Sequence, residues 1–347
     1  MRGILPIVTA VALFAAPTVV LLTAPTVALA QPATAASEAP LTGAISGGIA
    51  SGTFGLVGEA VMEMVRRQYP GSSIIYDQAS SAGTLSRLMQ NEVKAGFAFS
   101  QIEIVAAQNG MAPFKDKLSM DGVKFVARIA DGMTLFAVAP QEFIDNYGIK
   151  TFADIKAKKV PVRISLHRRE VVTVNGQVNE LLKAYGITEA DIKNWGGEVH
   201  NEATAGYTKL MKNRRLDVAF STGWHPSKDV TELEAGTKLA FIPFDKPQID
   251  QVIKTFGLEP AVIKAGTYDF LKEDYHTTDL SFPILARDDA SDHLIYGLTK
   301  SLYNQFGYFK SVHPVFSAYD VSMLVKSSGM PIHPAALRLY KEVGLVK

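Results

Sequence analysis

Early in the chain a short apolar run passes through a turn of small and hydroxylated residues into a stretch with helical spacing, and the pattern then recurs. Residues 41–46 (LTGAIS) read as a strand and 47–53 (GGIASGT) as the turn. The stretch 54–67 reads as a helix, with Leu56, Ala60, Val61, Met64 and Val65 on its apolar face. Residues 72–76 (SSIIY), 80–84 (SSAGT) and 85–92 repeat the unit, and 96–100 (GFAFS) is a third strand ending at Ser100 and Gln101. Alternation of this kind argues for an α/β architecture. It continues with strands at 124–129, 133–139, 160–166, 216–220, 239–244 and 280–286. Helices follow from Phe152, at 177–185 with Gly186 as its C-cap, at 292–305 and at 334–343.

A helix that starts at such a turn leaves its first backbone N–H groups unpaired and carries the positive end of its dipole there. It therefore accepts a carboxylate or phosphate without any basic side chain. In open α/β sheets ligands sit beyond the carboxyl ends of the strands. The tips thus supply candidate ligand-binding residues: Ser46, Gly48, Ser51, Gly52, Thr53 and Phe54 from the first, Ser81, Gly83 and Thr84 from the second, Ser100 and Gln101 from the third. Glycine, serine and threonine mark turns in any protein. Their recurrence in consecutive units is what singles these out.

The N-terminus reads as an export signal. Met1 and Arg2 precede an uncharged stretch from Ile4 to Leu29, and Ala28, Leu29 and Ala30 form a small-x-small cleavage pattern, so cleavage is expected after Ala30. Pro6, Pro17 and Pro25 argue against a membrane-spanning helix over the same residues. Residues 31–40 (QPATAASEAP) read as a flexible leader. What remains, roughly 300 residues, is long for one hydrophobic core and comfortable for two. The 35 Lys and Arg against 34 Asp and Glu leave no basic excess of the kind nucleic-acid binding needs. The absence of cysteine excludes disulfides, thiol catalysis and thiolate metal sites. No two of the seven histidines stand three or four residues apart, and the local signatures of hydrolases, P-loops and dinucleotide sites are missing. No metal, cofactor or catalytic residue is expected, and the enzyme reading falls behind the binding one. His313 and His333 each precede a proline and read as structural punctuation.

The chain resembles the TAXI family, the extracytoplasmic solute receptors of one branch of the TRAP transporters. The resemblance is carried by 45–54 (ISGGIASGTF), 80–85 (SSAGTL), 96–101 (GFAFSQ), 181–187 (LLKAYGI), 216–220 (LDVAF), 265–268 (AGTY), 312–314 (VHP) and above all 331–344 (PIHPAALRLYKEVG), with Ala335 where the family carries glycine. It implies a two-lobed type II periplasmic-binding-protein fold with crossing hinge strands, near 135–139 and 241–244, and a ligand cleft between the lobes. Lobe one would be 41–136 plus 244–347 and lobe two 137–243. The function implied is capture of a small anionic metabolite, a dicarboxylate or acidic amino acid, by a periplasmic monomer that delivers it to an integral-membrane TRAP permease.

After the strand at 160–166 the family's glycine-serine-glycine-threonine turn is replaced by His167, Arg168, Arg169 and Glu170. An arginine there would clamp a carboxylate through two parallel hydrogen bonds, or else lie on the surface in an ion pair. Thr222, Gly223 and Trp224 follow the strand at 216–220 where a second-lobe tip should face the cleft; Trp224 would flank the ligand or pack internally. A sensor subunit of a membrane signalling system would use the same cleft, and an enzyme on the same fold is a third class.

Overall fold

The computed structural model describes residues 38–47, 53–78, 81–96, 100–111, 113–169 and 171–347. The export segment expected over 1–30, most of the leader, and the turn positions Gly48, Ser51 and Gly52 lie outside the described residues. Residues from Ala39 to Lys347 form one unit.

The chain begins β1 (Thr42–Gly47), α1 (Thr53–Gln68), β2 (Ser73–Gln78), α2 (Ser81–Met89), β3 (Ala95–Gly96), α3 (Gln101–Asn109) and β4 (Val123–Pro140). It continues through α4 (Gln141–Tyr147), α5 (Ala153–Ala157), β5 (Arg163–Ser165), α6 (Val172–Tyr185), α7 (Glu189–Asn194), β6 (Glu198–His200), α8 (Thr204–Lys212), β7 (Val218–Gly223), α9 (Lys228–Glu234) and β8 (Leu239–Phe241). The last part is α10 (Lys246–Phe256), β9 (Glu259–Ile263), β10 (Tyr275–Arg287), α11 (Asp292–Asn304), α12 (Phe306–Val312), two 3-10 turns (Pro314–Ala318 and Val321–Val325) and α13 (Pro334–Glu342).

The strands make one sheet in the order β2-β1-β3-β10-β4-β7-β5-β6. At one end β1 lies between β2 and β3 and parallel to both, so that Ser46 is level with Asp77 and Gly96. At the other end the arrangement recurs: β5 lies between β6 and β7, parallel to both, with Ser165 level with His200 and Ala219. The two parallel sets are joined by β4 and β10, which run antiparallel from the pair Val123 and Arg287 to the pair Thr134 and Asp279. β8 pairs with residues 138–140 at the far end of β4.

The strands expected at 124–129 and 133–139 are one continuous strand, β4. Gly132 adopts φ +76, a left-handed conformation that glycine takes without steric cost, and bends the strand without ending its pairing. The helix expected at 177–185 starts earlier, at Val172. The β-branched run 171–174 has strand character, but residues 172–174 are buried in the first turn of α6 with Val171 as its N-cap, and packing overrides propensity. His313 and His333 accept hydrogen bonds from the N–H groups of Val315 and Ala335 through Nδ1, at 3.3 and 3.2 Å, so each caps the turn or helix after it.

Candidate functional site at the strand tips

Because β1, β2 and β3 are parallel, the N-termini of α1, α2 and α3 that follow them fall along one edge of the sheet. β1 is where the strand order reverses direction, the place where open α/β sheets bind ligands. Ser46 and Thr84 are fully buried there, and their hydroxyls are 3.1 Å apart. Ser100 occupies the N-cap of α3 in an extended conformation (φ −77, ψ 156), yet its hydroxyl makes no capping bond to the first turn. Its Oγ is buried with no hydrogen-bond partner among the described residues. A buried hydroxyl left so costs about 1–3 kcal/mol, a cost that an accepting ligand would remove. Gln101 opens α3, its Cγ 3.8 Å from where a Cβ on Gly257 would lie. Glu103 is buried in the same turn. Gly83 is half-buried within α2, while Thr53 and Phe54 open α1 and Ser81 opens α2.

The corresponding tip of the other set is differently built. Ser165 Oγ donates to the carbonyl of Glu202 at 3.2 Å and accepts from its N–H at 3.1 Å. His167, buried, holds φ +65. Left-handed backbone costs a side-chain-bearing residue about 1–2 kcal/mol, so the imidazole occupies a position suited to glycine. Arg168 and Arg169 are exposed, and Arg169 Nη2 meets Glu189 at 3.1 and 3.4 Å. Thr222 and Gly223 end β7, paired with Leu135 and Thr134.

Trp224 is packed. Its Nε1 donates to the carbonyl of Asp131 at 2.8 Å, and its ring lies edge-on to Phe316 at 5.0 Å. His225 is held between Tyr268 OH (2.6 Å from Nδ1) and Thr134 Oγ1 (2.9 Å from Nε2). Burial holds its pKa down to about 4, so the ring is neutral at pH 7 and offers an anion no charge.

Sequence reasoning missed the join between the sets. Arg128, 2 % exposed on β4, donates from Nε to the carbonyl of Lys326 (3.1 Å), from Nη2 to Ser328 Oγ (2.8 Å), and from Nη1 and Nη2 to Glu259 Oε1 at 3.4 and 3.3 Å. Across from it, Asp279 Oδ1 accepts from the N–H of Gly132 at 2.6 Å. Burial, then the charge of Asp131, pushes Asp279 up to about 6, and burial raises Asp131 too. A cavity of about 10 Å³ lies among Gln101, Arg128, Gly257, Asp279 and Ser281, room for about one water. The available signal was local: Arg128 and Asp131 interrupt an apolar run in a strand buried on both faces. On the same side of the join, Ile102 of α3 reaches Gly176 of α6, where a Cβ would lie 3.4 Å from its Cγ2 and 3.8 Å from Phe256 Cζ.

Two parallel sets of strands, joined by two long antiparallel strands, define the two-lobed type II periplasmic-binding-protein fold. The periplasmic binding protein BugD shares it, with a TM-score of 0.50 at 10% identity over 89% of this chain and 98% of that one. Weaker likenesses include the binding component of an ABC phosphonate transporter from Pseudomonas aeruginosa (TM-score 0.44, 13% identity, 79% of this chain and 78% of that one). Another is an ancestral arginine-binding protein bound to arginine (TM-score 0.43, 10% identity, 79% and 97%). At such identities the likeness is one of fold. The chain belongs to the NMT1-like family, whose pattern it matches over residues 45–344.

Proposed function

We propose that the protein is an extracytoplasmic solute-binding receptor that takes a small anion, of the carboxylate class, at the tips of β1, α2 and α3 and hands it to a membrane permease of the TRAP type. The observation that carries the reading is Ser100: a buried hydroxyl at the start of α3 that neither caps its helix nor finds another partner among the described residues. At the same edge of the sheet the Ser46 and Thr84 hydroxyls bond to each other, an arrangement that rotation about two C–O bonds converts into donors for an anion. The export signal read in residues 1–30 favours a place outside the cytoplasm, and no helix among the described residues is long and apolar enough to cross a membrane. We infer that the lobes meet at Asp131 and Gly132 on β4 and at Asp279 on β10, and that the ligand favours the state in which α3 rests against α6.

A thermal-shift screen of the mature chain against dicarboxylates, acidic amino acids and 2-oxo acids tests this. A ligand at about one hundred times its Kd should stabilise the native state by about 2.7 kcal/mol. Ser100→Ala and Thr84→Val should each weaken the hit by about tenfold, the worth of a hydrogen bond to a charged group. A panel without a single shift, or a hit unchanged in both variants, would overturn the reading.

A further inference from the structure

Away from the strand tips, a groove of about 480 Å³ runs between α3 and α6, a volume within the range of small-molecule sites. One wall is a single face of α6, on which Val172, Gly176, Asn179 and Lys183 recur at three- and four-residue spacing. Ala106 and Met111 form the other wall, and Phe256 of α10 closes the floor. Ala106, Val172 and Phe256 are buried, whereas Met111 stands 38% exposed, a flexible apolar side chain with room to cover a ligand. Lys183 at the far end is tied to Glu180, which also accepts from Gln251 and Thr255. At the near end Arg169 is two-thirds exposed, and a surface pair such as the one it makes with Glu189 is held weakly and yields to a better-aligned carboxylate.

We propose that this groove is a second binding site, for a monocarboxylate with an apolar body. The carboxylate takes the Arg169 guanidinium in place of Glu189, and the body lies along the α6 face at Gly176 with Met111 against it. A polar dicarboxylate, suited to the strand tips, would leave Met111 facing water. Since α3 follows β3 and α6 follows β5, the occupant touches an element from each parallel set and favours the arrangement in which the two helices meet.

The test is isothermal titration of the mature chain with 4-phenylbutyrate, with its neutral amide and succinate as controls. Saturable binding of 4-phenylbutyrate is expected, with little from either control. Arg169→Ala and Met111→Glu, both at exposed positions that should not disturb folding, should each weaken it by about tenfold or more. Glu189→Gln should tighten it several-fold by removing the competing carboxylate. Absence of saturable binding at millimolar concentration overturns the proposal, as does binding unchanged by Arg169→Ala, or succinate binding with the same dependence on Arg169. Those outcomes leave the strand-tip reading standing, because its test rests on Ser100 and Thr84.

Discussion

β1 and β5 hold the same place in their parallel sets. Each is flanked on both sides by a parallel neighbour, and each carries near its end a buried serine that is level with both neighbours. The serines nevertheless act differently. Ser46 is bonded to a second hydroxyl, Thr84, and either can turn toward a newcomer. Ser165 is committed in both directions to the backbone of Glu202. Topology has been repeated while chemistry has not: one serine is paired with a second hydroxyl, the other is fastened to backbone, and on the proposed reading only the first tip recognises a ligand. On the same reading, any contact from the second set would come from residues C-terminal to Ser165.

The largest effect expected from this contrast comes from reciprocal alanines. Ser165→Ala strips two hydrogen bonds from a partly buried backbone and should cost about 1–3 kcal/mol, read as a lower midpoint in thermal or urea unfolding, with ligand affinity preserved. Ser46→Ala should cost less than about 1 kcal/mol, because a helical threonine can turn its hydroxyl back to a carbonyl of its own helix. It should, however, weaken the ligand. Equal destabilisation by the two variants with equal binding would erase the distinction between the tips.

The join between the sets has its own pH signature, of about the next size. His225 is depressed to about 4 by burial, so the unfolded chain takes up a proton below about pH 6.5 that the native state refuses. Its contribution to stability is present at pH 7 and falls by about 2 kcal/mol on acidification to pH 5. Asp279 works in the opposite sense. Its pKa is raised to about 6, so its stabilising contribution is full below the unfolded value near 4 and is lost as pH rises through 6. That is worth about 1 kcal/mol between pH 5 and 7. Urea unfolding at pH 5 and pH 7 should show a flatter profile for His225→Gln and a steeper acid loss for Asp279→Asn. Parallel profiles in wild type and both variants would mean that the join does not titrate.

Legibility in the sequence depends on how far apart the interacting residues lie. The strand, turn and helix units, the C-cap at Gly186 and the two histidine caps are local patterns, and all can be read from a few neighbouring residues. The hydroxyl pair of Ser46 and Thr84 is less local, but the repeat of the unit places both at one edge. The join is invisible at that range because Arg128, Asp279 and Glu259 come together through antiparallel pairing of β10 with β4 and β9. That pairing lies at 275–287, whereas the resemblance to the TAXI receptors points to a second crossing near 241–244. The start of α6 misleads because its β-branched residues state a preference that burial against α10 overrules. Trp224 stands equally between ligand and core on sequence grounds, and Phe316, far along the chain, is what decides it.

The smallest effect bears on the turn after Ser165, where the resemblance to the TAXI receptors leads one to expect glycine. His167 keeps the left-handed backbone that glycine would adopt freely, at φ +65, and buries its side chain. Two substitutions separate the backbone from the imidazole. His167→Ala removes the ring and keeps the strained φ; His167→Gly removes both. Packing lost with the ring is common to the two, so the difference between them isolates the backbone contribution, and glycine should be the more stable by about 1 kcal/mol. This difference should appear in urea midpoints at pH 7 with unchanged slope. If alanine matches glycine, the turn relaxes when the ring is gone, and the strain belongs to the imidazole's seating. The second set's tip would then owe its shape to what His167 touches, and the contrast with β1 would lie in side-chain packing.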